Sequence, residues 1–117
     1  MVLGEVCLLT GDVVRLAGFY RWLLGVGGGS DDPVHQAVLS GGTSLTVYND
    51  GTGRTGAGQN ACLAFIVDDV DAQYERLLAH GVEVADPPQA RPWGMKNLCF
   101  LDPDGSRVYL AAPIRNA

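Results

Sequence analysis

Basic residues are scarce in this chain. Eight Lys and Arg, a single lysine among them, stand against thirteen Asp and Glu, a net charge of −5 over 117 residues. Nucleic-acid binding depends on clustered cations that neutralise phosphates, so the composition argues against that class. A neutral or cationic small molecule is the more compatible partner. Long apolar runs are missing too, and the N-terminus has no basic region leading into a hydrophobic stretch. Neither a membrane span nor a secretory leader is therefore expected, and the sequence reads as a soluble, cytoplasmic protein. Apolar residues make up 47% and charged residues 18%, which suits one globular domain with a modest core.

Metal-binding side chains are sparse. Three cysteines occur, Cys7, Cys62 and Cys99, and no C-x-x-C pair exists, so a structural zinc site is not expected. All three lie in apolar runs, where a free thiol behaves as a small buried hydrophobe, and this reading suits Cys7 and Cys99 best. The histidines are two, His35 and His80. His80 precedes Gly81 at the end of a helical stretch, where a solvated side chain suits the helix dipole.

The elements present follow a repeated order. Residues 3–10 form an apolar run, a strand. Asp12 is a good N-cap for a helix whose apolar stripe is Val13, Leu16, Ala17, Tyr20, Leu23 and Leu24, and Gly25 is its stop. Trp22 falls opposite that stripe and calls for a partner surface or a covering loop. Gly27-Gly28-Gly29 reads as a flexible connection or a weak edge strand. Residues 35–40 and 43–50 read as strands joined by Gly41-Gly42. Residues 51–60 carry four glycines and no apolar side chain larger than alanine, a linker between module 1 (1–50) and module 2 (61–117).

Beyond the linker the order returns. Residues 61–67 read as a strand and Asp69 as an N-cap. Val70, Tyr74, Leu77 and Leu78 form a helical stripe, and Gly81 ends it. Residues 82–85 read as a short strand, Pro87-Pro88 as a break, and the rest as a long hairpin around Asp102-Pro103-Asp104-Gly105. Laying Gly11-Asp12-Val13 on Asp68-Asp69-Val70 gives an offset of 57 residues and brings Gly25 close to Gly81, the punctuation of an internal duplication.

Several of these residues carry a family resemblance. They are Gly11-Asp12, Phe19-Tyr20 and Leu24-Gly25 in the first half, and Val67-Asp68-Asp69-Val70-Asp71, Leu77-Leu78 and Gly81-Val82 in the second. Pro92-Trp93-Gly94 and Phe100-Leu101-Asp102-Pro103-Asp104-Gly105 complete the set. In this order the chain resembles the vicinal oxygen chelate superfamily of glyoxalases, bleomycin-resistance proteins and extradiol dioxygenases. The resemblance implies an α+β fold of two paired βαβββ modules, with curved sheets around a cavity and helices outside, in a single domain that is usually homodimeric.

Enzymes of that superfamily place metal ligands on the first and last strands of each module. Carried over by position, these fall on Glu5, Leu45, Cys62 and Tyr109. Leucine cannot ligate, and a lone carboxylate with a thiol and a phenol lacks the imidazoles that hold Zn²⁺, Fe²⁺ or Ni²⁺. No metal or other cofactor is therefore expected. With Glu5, Cys62 and Tyr109 facing inward, alternation brings in Cys7 and Leu9, Ala64 and Ile66, and Arg107 and Ala111, while Leu45 brings in Val47. Trp93 stands where binding members of the superfamily present an aromatic ring.

Three functions compete. The first is a metal-free protein that binds an aromatic or cationic compound through Glu5, Cys7, Val47, Cys62, Trp93, Arg107 and Tyr109. The second is a metal-dependent lyase, isomerase or dioxygenase with a shifted ligand set such as Glu5 and His35. The third is a small-molecule-sensing or accessory domain.

Overall fold

The computed structural model describes residues 1–53, 55 and 61–114. The chain divides into two compact units, Met1–Ala57 and Gly58–Ala117. Their boundary falls inside the stretch read as a linker, much of which (54 and 56–60) lies outside the described residues.

The first unit runs β1 (Glu5–Leu9), α1 (Val13–Leu24), β2 (His35–Leu39) and β3 (Ser44–Tyr48). Helix α1 starts where the side chain of Asp12 accepts the Arg15 N–H, and it ends at Gly25 in the left-handed conformation. Its stripe of Val13, Leu16, Ala17, Tyr20 and Leu23 is buried, and it packs on β2 and β3. The Arg21 guanidinium ties it to β2, donating to Gln36 Oε1 at 2.6 Å and to the Ala37 carbonyl at 3.2 Å. The sheet order is β1-β3-β2, with β1 parallel and β2 antiparallel to the central strand. Gly41 (φ 88°) and Gly42 (φ 62°) supply the two left-handed residues that the β2–β3 turn needs. Asp32 shapes the entry to β2. The N–H groups of Val34, at 2.8 Å, and of His35, at 3.3 Å, point at its carboxylate and hold its pKa below the usual range.

The second unit runs β4 (Leu63–Ile66), α2 (Val70–Ala79), β5 (Val84–Ala90), β6 (Met95–Leu101) and β7 (Arg107–Pro113). Asp69 caps α2 as Asp12 caps α1, accepting the Ala72 N–H at 3.0 Å. Val70 and Leu77 are buried, whereas Leu78, expected in the stripe, is exposed. The sheet order is β4-β7-β6-β5, with β4 parallel to β7 and the other pairs antiparallel. In both units the first strand lies parallel to the last, so the duplication read from the punctuation is a duplication of topology. The result is an α+β fold of two helices and seven strands in two mixed sheets, consistent with paired βαβββ modules.

Two departures from the sequence reading have simple causes. Strand β5 was expected to break at Pro87-Pro88 but runs through them to Ala90. It is an edge strand with register shifts against β6, and the missing proline N–H groups cost least in such a place. In the first unit the counterpart of β5 would fall on the glycine run, and no strand forms there. Three glycines offer no side chain to bury, and Gly28 adopts φ 87°, outside the β region.

Candidate functional site

Each sheet packs one face on its own helix; the opposite, open face mixes exposed side chains such as Glu5, Cys7 and Ile66 with buried ones such as Thr46 and Cys99. In the first unit, parallel register places Glu5 opposite Ser44, Cys7 opposite Thr46 and Leu9 opposite Tyr48, all on the open face. His35 lies opposite Tyr48 on the other side of β3, the two rings meeting edge-on at 6.0 Å. The buried Thr46 hydroxyl donates to Glu5 Oε2 at 2.6 Å and fixes the carboxylate over the sheet.

This geometry corrects the placement of three residues. Leu45 and Val47 are 5% and 0% exposed and sit on the helix side of β3, so Val47 does not line the open face. Thr46 holds the position that had been assigned to Leu45. The alternation Ser44-Leu45-Thr46-Val47-Tyr48 carried this signal, because a half-buried strand sends its apolar residues to the core. Cys7 is exposed rather than buried, since it shares the face of Glu5. Glu5 itself is exposed, on an edge strand of its sheet.

In the second unit, Ala64 lies opposite Tyr109 and Ile66 opposite Ala111. Extending that register back one residue puts Cys62 beside Arg107. Cys62 thus stands to Tyr109 as Glu5 stands to Thr46, two residues along the neighbouring parallel strand. Across β7, Cys99 faces Tyr109 and Asn97 faces Ala111. The buried Cys99 thiol takes an N–H from Arg107 Nη1 at 3.8 Å. Repulsion from Cys99, reinforced by burial, raises the pKa of the Tyr109 phenol above its ordinary value, against a smaller opposing pull from Arg107. Tyr109 is therefore a neutral hydroxyl at physiological pH. Farther along the face, Asn97 Oδ1 accepts from Arg91 Nε at 2.8 Å, and Gln89 and Asp86 hold the same guanidinium.

Trp93 lies apart from these groups, in the β5–β6 turn and 68% exposed. Three backbone hydrogen bonds brace that turn: Arg91 N to the Met95 carbonyl at 2.7 Å, Gly94 N to Arg91 at 3.2 Å and Ile114 N to Gly94 at 2.9 Å.

The donor sets do not suit a divalent metal. The first unit offers one carboxylate and the second a thiol with a neutral phenol; neither adds an imidazole at these positions. A shifted pair of Glu5 and His35 is separated by β3 and by the four-residue offset between Ser44 and Tyr48. That separation is roughly 16 Å, beyond the reach of one ion. Among the described residues, no group of three or more His, Cys, Asp or Glu could hold a metal. No described helix is long and apolar enough to cross a membrane.

The family model for the Glyoxalase/Bleomycin resistance protein/Dioxygenase superfamily matches residues 2–110. No curated protein matches the sequence. Among solved structures, a glyoxalase/bleomycin resistance protein/dioxygenase from Nocardioides superposes with TM-score 0.78 at 24% identity, over 100% of this chain and 86% of that one. A family enzyme from Burkholderia phytofirmans PsJN gives TM-score 0.82 at 19% identity, over 97% and 100%. A lactoylglutathione lyase from Agrobacterium tumefaciens gives 0.72 at 21%, over 93% and 91%. At these identities the likeness is one of fold.

Proposed function

Because the chain belongs to the glyoxalase/bleomycin resistance protein/dioxygenase superfamily, we propose that it is a small-molecule-binding protein that works without a divalent metal. The observation that carries this reading is the Glu5–Thr46 hydrogen bond of 2.6 Å. The one carboxylate at the metal-ligand positions is oriented by a neutral hydroxyl with no imidazole beside it, and its counterparts in the second unit are a thiol and a phenol. An exposed carboxylate held in this way favours ligands with positive charge or hydrogen-bond donors. The exposed Trp93 ring offers a stacking surface for a planar one.

Metal content tests this directly. Protein purified without chelators and then dialysed is expected to hold no stoichiometric Zn, Fe, Mn or Ni by elemental analysis. Added metal is expected to leave the melting temperature unchanged. A genuine site at a hundredfold excess over its Kd would stabilise the fold by about 2.7 kcal/mol, a shift of several degrees. One tightly held ion per chain, or a shift of that size, refutes the metal-free reading and favours an enzyme.

A homodimer belongs to the same proposal. Val14 and Gly18 are exposed on the face of α1 away from its buried stripe, and the half-buried Trp22 continues their i, i+4 row while leaning on Phe19, ring centroids 5.7 Å apart. Two copies of that face would cover the indole in an isologous contact. Light scattering at micromolar concentration should give twice the chain mass. A monomer mass would remove this part of the proposal.

A further inference from the structure

We propose that the open face of the second unit's sheet carries a subsite for an oxyanion, specifically the carboxylate of an otherwise apolar small molecule, held by the Arg107 guanidinium and the Tyr109 hydroxyl. The inference deepens the small-molecule reading and rests on it.

The first support is the state of Arg107. Other basic side chains among the described residues meet oxygen acceptors. Arg15 pairs with Asp12, Arg21 with Gln36 and the Ala37 carbonyl, and Arg76 with Gln73. Arg91 bonds to Asn97 and Gln89, and Lys96 to Asp71. Arg107 alone among them has no oxygen partner, only the Cys99 sulfur at 3.8 Å. A thiol is a weak acceptor, so most of the five guanidinium donors remain available in a geometry that fits a carboxylate bidentately.

The second support is direction. Cys99 lies on the neighbouring strand opposite Tyr109, so the contact turns the guanidinium along the sheet towards the phenol instead of straight out to solvent. Arg107 and Tyr109 are two residues apart on β7 and share a face. Both carry donors there, and both meet the Cys99 thiol, a weak partner that an oxyanion would displace.

The third support is the surroundings. Ala64 and Ile66 on β4 and Ala111 on β7 share the face, and Ile66 is 70% exposed. Ala111 is itself buried, so the exposed Ala64 and Ile66 give the apolar bed for the body of a ligand whose anionic end reaches Arg107. Of the acids near this face, Asp86 is engaged with Arg91 at 4.0 Å, and Glu83, whose carbonyl takes the Leu101 N–H, is exposed and lies two strands away from Arg107. In a chain of net charge −5 the face therefore keeps a cation directed at ligand. The preference for positive charge belongs to Glu5, on the first unit.

The test compares acids with their uncharged amides. Calorimetric titration of the full chain with benzoate and indole acetate is expected to give affinities at least about tenfold above those of benzamide and indole acetamide. Arg107→Met should abolish that preference while leaving amide affinity within about threefold, and Arg107→Lys should restore part of it. Arg107 is exposed, so the variants should fold; circular dichroism and melting temperature confirm this independently. Tyr109→Phe should reduce the preference by a smaller factor. Amides bound as tightly as acids by the wild type, or an acid preference that survives Arg107→Met, would overturn the subsite and leave the small-molecule reading standing. No binding by these four compounds or by planar cations would remove both.

Discussion

Asp102→Ala lowers the unfolding free energy by about 3 kcal/mol, whereas Asp102→Asn costs about 1 kcal/mol. Asp102 is 6% exposed, and one of its carboxylate oxygens accepts the Asp104 N–H at 2.9 Å and the Ser106 N–H at 3.0 Å. Its own N–H and carbonyl close the turn with Ser106 and Gly105, each at 2.9 Å. Alanine strands two backbone donors in a tight, part-buried turn, while the asparagine carbonyl still accepts them. Urea denaturation should therefore show a lower midpoint with an unchanged slope for the alanine variant. Equal midpoints for wild type and Asp102→Ala would show that the turn is hydrated and that its side chain contributes little.

The consequence reaches the open face. The turn joins β6 to β7 and pins the register that sets Cys99 opposite Tyr109 and Leu101 opposite Arg107. A slip of one residue would send Arg107 and Tyr109 to the helix side and bring Val108 and Leu110 out. The Asp-Pro-Asp-Gly turn touches no ligand in this account. It determines which side chains can.

Chemistry that is local to a few residues was legible in the sequence. Both helix starts announce themselves through Asp12 and Asp69, the end of α1 through Gly25, and two of the three hairpins through Gly41-Gly42 and the Asp102 turn. The alternation around Glu5 and around Tyr109 also grouped the residues that the strand pairing puts on one face. On β3 a position counted from family spacing displaced that alternation, and it sent Leu45 and Val47 to the wrong side. The run of β5 through two prolines was not legible, because proline's tolerance depends on whether a strand is at an edge, which only the pairing reveals. The Glu5–Thr46 bond joins residues 41 apart and needed the parallel register of β1 and β3. The Arg107–Cys99 contact likewise needed the β6–β7 pairing.

Trp93→Ala should weaken binding of a planar cationic dye such as an acridine at least about tenfold and remove most of the ligand-induced change in tryptophan fluorescence. The ring is 68% exposed in the chain, so covering it with a flat ligand desolvates two apolar surfaces at once. An aromatic anchor of this kind typically contributes about 2 kcal/mol or more on truncation. The loss should be one of binding and not of folding, because the turn around Trp93 is held by backbone hydrogen bonds that do not involve the indole. The other tryptophan, Trp22, packs against Phe19 on α1, and Trp22→Phe leaves Trp93 as the single reporter. Glu5→Gln keeps the acceptor that Thr46 needs but removes the charge. Measured with a small alkylammonium ion, which has no ring to stack on Trp93, the variant should lose about half or more of the binding that the first unit gives a cation, a modest change because Glu5 is exposed and its field is screened. Equal affinity of wild type and Trp93→Ala for the dye would place recognition away from the β5–β6 turn. Unchanged binding of that ion by Glu5→Gln would separate the Glu5–Thr46 pair from ligand selection.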